Sequence, residues 1–126
     1  MQKKIVKLKE LRLLFVEDEE DLLEIISDTL TKLDANFVTA KNGQEALDLL
    51  EETSVDIVIT DINMPVMNGL DLIENLNKLH PKIQVIVMSA HTETEYINKA
   101  NSLGVKDYLI KPFDFIKFIE LVAAMD

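Results

Sequence analysis

Five short runs of β-branched and large apolar residues recur along the chain, each followed by a segment whose apolar residues return every three or four positions. The runs are 11–16, 36–40, 55–60, 83–88 and 105–110. Leu22, Ile26, Leu30 and Leu33 mark a first helical face, and Ala46, Leu47 and Leu50 a second. Leu70, Ile73, Leu76 and Leu79 mark a third, Tyr96, Ile97, Ala100 and Leu103 a fourth, and Phe115, Ile119 and Val122 a fifth. Strand–helix repeats of this kind imply parallel strands joined by right-handed crossovers, with helices on both faces of one sheet. The runs at 11, 55 and 83 are nearly all apolar, as central parallel strands are, whereas 36–40 is mixed, as an edge strand can be.

Punctuation supports this parse. Gly43, Gly69 and Gly104, with Pro65, Pro81 and Pro112, all fall between the proposed elements. Gly104 stands where a helix C-terminal cap belongs, and Pro81 just past a helix end. The 126 residues suffice for one domain around a single core. That domain is expected over 11–126, with 1–10 as an N-terminal extension, frayed or weakly helical and rich in lysine (Lys3, Lys4, Lys7, Lys9).

In an open parallel sheet, ligands bind outside the carboxyl ends of the strands. The first run there meets Glu17, Asp18, Glu19, Glu20 and Asp21, the third Asp61, the fourth Ser89, and the fifth Lys111 and Pro112. If the first and third strands are neighbours, Glu17, Asp18 and Asp61 converge. Two carboxylates ~4 Å apart repel by about 4 kcal/mol at an effective dielectric of about 20, so such a cluster needs a cation or protons. With no cysteine in the chain, hard oxygens of this kind suit Mg²⁺. The plainer role for Glu19, Glu20 and Asp21 is to favour the dipole at a helix N-terminus. Lys111 can pair with Asp61 or with an anion attached to it, and Pro112 can fix the turn through a cis bond. Ser89 supplies a hydroxyl at the same edge, or caps the helix that begins near Thr92. A carboxylate nucleophile, metal-binding acids, a lysine and a hydroxyl together suit phosphoryl transfer to Asp61, giving an aspartyl phosphate.

The segments FVEDEE (15–20), ITDINMPVMNG (59–69), VMSAHTE (87–93) and VKDYLIKPF (105–113), in this order and at these spacings, resemble the response-regulator receiver domains of two-component signalling, of the chemotaxis-regulator type. The resemblance covers about residues 11–125. It implies a flavodoxin-like, three-layer α/β/α fold with a doubly wound sheet of strand order 2-1-3-4-5 and five helices. It implies that Asp61 accepts a phosphoryl group from a histidine kinase or histidine phosphotransfer protein. Asp18, Asp61 and the backbone carbonyl of Asn63 would hold Mg²⁺, with Mn²⁺ able to substitute, and Glu17 would reach the metal through water. Lys111 would contact phosphoryl oxygens. Ser89 stands at the switch hydroxyl and Tyr108 at the switch aromatic, although an alternating strand tyrosine is also ordinary packing. Asn63 and His91 occupy the two positions that tune dephosphorylation in this family. The output face would be the fourth helix, fifth strand and fifth helix, offered to a downstream protein target or an attached output domain. The apolar arc of the fifth helix, which includes Ile116 and Phe118, serves the core and is wide enough to add a homodimer or target contact.

Other classes fit less well. A haloacid-dehalogenase-type phosphatase wants a second Asp two residues after the first, where this chain has Asn63. A flavin binder must cradle phosphate in its first loop, and EDEE would repel it. The nearer alternative is a receiver-like interaction module that works without phosphate. A net charge of −10 argues against direct nucleic-acid binding and against an anionic membrane surface. The apolar run in the first twenty residues is short and interrupted by Arg12, so no signal peptide is expected, and the chain is expected in the cytoplasm. No enzymatic turnover is expected beyond the domain's own phosphoryl transfer and dephosphorylation.

Overall fold

The computed structural model describes residues 2–62, 64, 66–89, 94–111 and 114–125. Its elements are α1 (Gln2–Glu10), β1 (Arg12–Val16), α2 (Glu20–Lys32), β2 (Asn36–Ala40), α3 (Gly43–Glu52) and β3 (Ile57–Asp61). They continue with α4 (Gly69–Leu79), β4 (Gln84–Ser89), α5 (Thr94–Ser102), β5 (Asp107–Ile110) and α6 (Phe115–Ala124). The five strands are parallel and ordered β2-β1-β3-β4-β5, as the family resemblance implies.

The sheet is covered on both faces. Leu13, Phe15, Ile59 and Met88 point to the layer that holds Ile26 and Leu30 of α2 and Phe118 and Val122 of α6. The opposite face sends Leu14, Val16 and Val58 against Ala46 and Leu50 of α3 and Leu72 and Leu76 of α4. Under α5, Val87 packs with Ile62, Ile73, Ala100 and Val105. Side chains alternate across each strand, so a central strand apolar on both faces is what two helical layers require. β3 is buried along its whole length, while β2 at the edge buries only Ala40 fully.

Among the described residues, three helix starts carry a side-chain cap. Asn42, Asn68 and Asp114 accept from the backbone N–H groups of Glu45, Asp71 and Lys117 at 2.8, 3.0 and 2.7 Å. Glu20 and Asp21 lie in the first turn of α2, where acids complement the dipole. After α5 the chain turns at Gly104 with φ +95°, and its N–H donates to the Asn101 carbonyl at 3.0 Å. That left-handed backbone is open to glycine at no steric penalty.

The helix count corrects the expected architecture: six among the described residues rather than five. Residues 2–10 form a helix docked on the body. Leu8 is fully buried in the same cluster as Val122 and Met125, and Ile5 and Leu11 pack against that cluster. The Lys7 ammonium donates to the carbonyls of Ala123, at 3.1 Å, and of Met125. A cation on the orphan carbonyls of a helix C-terminus is favourable. The helix therefore forms through packing with the far end of the chain rather than through its own lysine-rich propensity. Among the described residues, no helix is long and apolar enough to cross a membrane.

Candidate functional site

Parallel register brings the candidate residues to one edge. Val16 pairs with Thr60, so Glu17, one step beyond β1, lies beside Asp61, the last residue of β3. Asp61 pairs in turn with Met88, and Ser89 closes β4 opposite Ile110, one residue before Lys111. Both Asp61 and Ser89 were expected just past their strands; each is instead the final strand residue, because the ladder to its neighbour continues through it.

The acids differ sharply in environment. Glu17 is 1 % exposed and Asp61 7 %, whereas Asp18 is open to solvent. One carboxylate oxygen from each of the three lies within 4.8 Å of the others. Lys111 bridges the buried pair, its ammonium 2.6 Å from Glu17 Oε1 and 2.9 Å from Asp61 Oδ2. The remaining oxygens take backbone donors: Ile62 N–H to Asp61 Oδ1 at 2.8 Å, and Glu19 N–H to Glu17 Oε2 at 3.1 Å.

Two carboxylates and one ammonium leave this edge short of positive charge. Burial pushes the Glu17 carboxyl up to about 7; the Lys111 bond works against this, and the nearby Asp61 charge adds to it. Burial works to lower the Lys111 ammonium, but its bonds to Glu17 and Asp61 outweigh that and raise it. Each bonded carboxylate oxygen keeps a further lone pair, and Asp18 faces solvent. Hard oxygens, one open side and a charge deficit fit a hydrated divalent cation, the kind of ion that keeps several waters and takes few protein carboxylates.

Other expected residues stand as follows. Ser89 is fully buried, and its Oγ has no hydrogen-bond partner among the described residues. Its carbonyl accepts the Lys111 N–H at 2.8 Å, which ties the hydroxyl's backbone to that of the lysine. Tyr108 is half-buried at the edge of the cluster that contains Ile62 and Val87, and burial, with the Asp107 charge, pushes its phenol up. Of the two apolar α6 residues singled out, Phe118 is core, its ring tilted by 57° against that of Phe15 with centroids 5.4 Å apart, and Ile116 is 58 % exposed. Asn63, His91 and Pro112 lie outside the described residues.

Gly69 has a positioning part that sequence punctuation alone does not reveal. A Cβ there would stand 2.2 Å from the Asp61 carbonyl oxygen and 2.8 Å from Ile62 Cα. The Gly69 N–H donates to the Ile62 carbonyl at 2.7 Å, so the start of α4 presses directly on the backbone that presents Asp61. Only a residue without Cβ permits that approach.

Comparison with known proteins agrees with this geometry. Chemotaxis protein CheY of Thermotoga maritima is 36% identical over 110 residues, covering 86% of this chain and 92% of CheY. The DNA-binding transcriptional regulator NtrC of Klebsiella pneumoniae is 35% identical over 107 residues, but the chain matches only 23% of that longer protein. Among solved structures, a response regulator receiver protein from Pseudomonas putida superposes with a TM-score of 0.83 at 31% identity, covering 90% of this chain and 96% of that one. The sequence pattern described as "Response regulator receiver domain" matches residues 13–123. With its sheet order, its acidic strand ends and nearly its whole length accounted for, the chain belongs to the response regulator receiver domains, the phosphoacceptor signalling domains of two-component systems.

Proposed function

We propose that Asp61 is the phosphoacceptor of this domain, receiving the group from a phosphohistidine of a histidine kinase or phosphotransfer protein in the cytoplasm. The observation that carries this reading is the Asp61 carboxylate, with Oδ1 bonded to the Ile62 N–H, Oδ2 bonded to Lys111, and two further acids within 4.8 Å. A carboxylate oxygen of Asp61 attacks phosphorus, the bond from phosphorus to the donor imidazole nitrogen breaks, and the imidazole leaves with that electron pair. Asp18, Asp61, the Asn63 carbonyl and, through water, Glu17 would hold Mg²⁺ or Mn²⁺. When bound, the ion neutralises charge on the transferring group. Lys111 exchanges its contact with Glu17 for phosphoryl oxygens.

Switching follows from the unsatisfied hydroxyl. Ser89 Oγ gains an acceptor when a phosphoryl oxygen stands on Asp61, and Tyr108 turns inward behind it. Moving a switch from 1:99 to 99:1 takes about 5.5 kcal/mol. One hydroxyl bond to a charged oxygen contributes about 1.5–3 kcal/mol, so Lys111 and the loop contacts supply the rest. The output face is α5, β5 and α6, where Ile110 and Ile116 are exposed and available to a target, an attached output domain or a second copy. Asn63 and His91 tune the lifetime of the phosphoryl group, and the domain turns over no other substrate.

Incubation with Mg²⁺ and a small phosphodonor, followed by intact mass measurement, tests the reading. Gain of one phosphoryl group by the wild type and none by Asp61→Asn is the expected result. A wild type that gains none favours a phosphate-independent interaction module.

A further inference from the structure

The hydroxyl of Tyr108 faces three oxygens: Asn101 Oδ1, the Val105 carbonyl at 3.2 Å and the Ile97 carbonyl at 3.4 Å. A phenol carries one hydrogen, so one acceptor takes it at a time, and Asn101 Oδ1 is the nearest. Ile97 and Val105 contribute backbone atoms; Asn101 is the side chain among the three acceptors. Asn101 is exposed near the end of α5, one turn after Ile97.

This bond joins α5 to the site. Tyr108 pairs with Val87 in the ladder and packs on the cluster containing Ile62, whose N–H holds Asp61 Oδ1. Three residues further along, Lys111 bonds to Asp61. The α5 helix itself has one fully buried residue, Ala100. Its C-terminal end is tied on the other side by Asn77 Nδ2, which donates to the Leu103 carbonyl at 2.8 Å. A helix with little apolar burial depends on such polar ties for its position.

We propose that Asn101 is a positioning residue that latches Tyr108 to α5 in the resting state, and that this latch sets the threshold of the switch at Asp61. The proposal rests on Asp61 as phosphoacceptor and Tyr108 as switch aromatic. An interaction made in only one of two states opposes every ligand that favours the other. Removing it strengthens that ligand's apparent affinity by the same factor.

The chain has two tyrosines, so isotope-labelled tyrosine rings give two NMR signals, which Tyr96→Phe assigns. Beryllium fluoride with Mg²⁺ is the probe for the phosphoryl-bound state. Asn101→Ala, at an exposed helix position that alanine suits, is expected to half-saturate at about two- to tenfold lower beryllium fluoride than the wild type. Its Tyr108 ring signal without the probe is expected to move toward the saturated wild-type position. Asn101→Asp keeps the acceptor and is expected to restore both values. An unchanged half-saturation in Asn101→Ala overturns the latch, whatever the ring signal does, and so does an Asn101→Asp protein that behaves like Asn101→Ala. A wild type that, like Asp61→Asn, shows no saturable response overturns the phosphoacceptor reading and the latch with it; the wild-type titration therefore separates the two failures.

Discussion

Glu17 Oε1 lies 2.6 Å from the ammonium nitrogen of Lys111, across 94 positions of sequence. Glu17 is inside the fold, at 1 % exposure, while its neighbour Asp18 is at the surface. The lysine therefore rests on a buried acid as well as on Asp61, and the balance among these charges governs how the site responds to pH and to metal.

Burial raises the Glu17 carboxyl from 4.5 to about 7, so the folded chain holds this proton over a range where the unfolded chain has lost it. Stability then falls as pH rises from about 4.5 to 7, since the native state binds more protons there. Without metal, denaturant unfolding of wild type and Glu17→Gln across this range is expected to show the difference moving in favour of the variant as pH rises. Cation binding needs the ionised acid, so Mg²⁺ affinity is expected to weaken as pH falls below about 7, and less steeply in Glu17→Gln. Calorimetric titration at several pH values measures this.

Lys111→Met removes the ammonium bonded to both Glu17 and Asp61. Breaking a buried pair from one side costs about 3–5 kcal/mol, and the partial exposure of Lys111 favours the low end. Urea unfolding at pH 8 without metal is expected to show a loss of about 3 kcal/mol. Added Mg²⁺ should recover part of it by neutralising the same carboxylates, while phosphoryl uptake stays slow.

Leu8→Ala tests the N-terminal helix. Leu8 is fully buried beside Val122 and Met125, so its truncation is expected to cost about 2–3 kcal/mol in urea unfolding. Val6→Ala, at a position 54 % exposed on the same helix, is expected to change stability by less than about 0.5 kcal/mol. Neither change touches the acidic edge, so phosphoryl uptake should hold in both.

Much of this architecture was legible because its causes are local. Alternation between strand-like runs and helical periods located the five strands within two residues at each end, and with them the edge where Asp61, Ser89 and Lys111 meet. Residues 1–10 read as frayed or weakly helical, and the docking of α1 was not legible because its stabilising partners, Ala123 and Met125, lie more than a hundred positions away. Glu17 and Asp18 were both legible as acids of the cluster, but which one is buried was not: the fold turns Glu17 inward and leaves Asp18 exposed. Nothing local distinguishes Asn101 from other polar residues of its helix, since its role comes from where the β5 tyrosine stands.

Gly69→Ala is expected to damage fold and site together. The added methyl would overlap the Asp61 carbonyl oxygen, a backbone atom that cannot rotate away. Overpacking of this kind costs about 1–3 kcal/mol, and the shift that relieves it moves Asp61. Unfolding free energy and phosphoryl uptake should both fall, whereas Leu8→Ala lowers only the first.

Ser89→Ala separates the resting state from the switched one. In the resting structure Ser89 Oγ is buried with no partner among the described residues, a condition that costs about 1–3 kcal/mol. Replacing it with a methyl of nearly the same size removes that penalty. The metal-free variant is therefore expected to match or exceed wild-type stability by up to about 1 kcal/mol. With beryllium fluoride and Mg²⁺ the order reverses, because only the wild type has a hydroxyl to place on the new acceptor. The gain in melting temperature on adding the probe should then be smaller in Ser89→Ala, and the Tyr108 ring signal should stay near its resting position. A variant destabilised without the probe would mean that the hydroxyl is already satisfied at rest, and Ser89 would then be a packing residue rather than the switch.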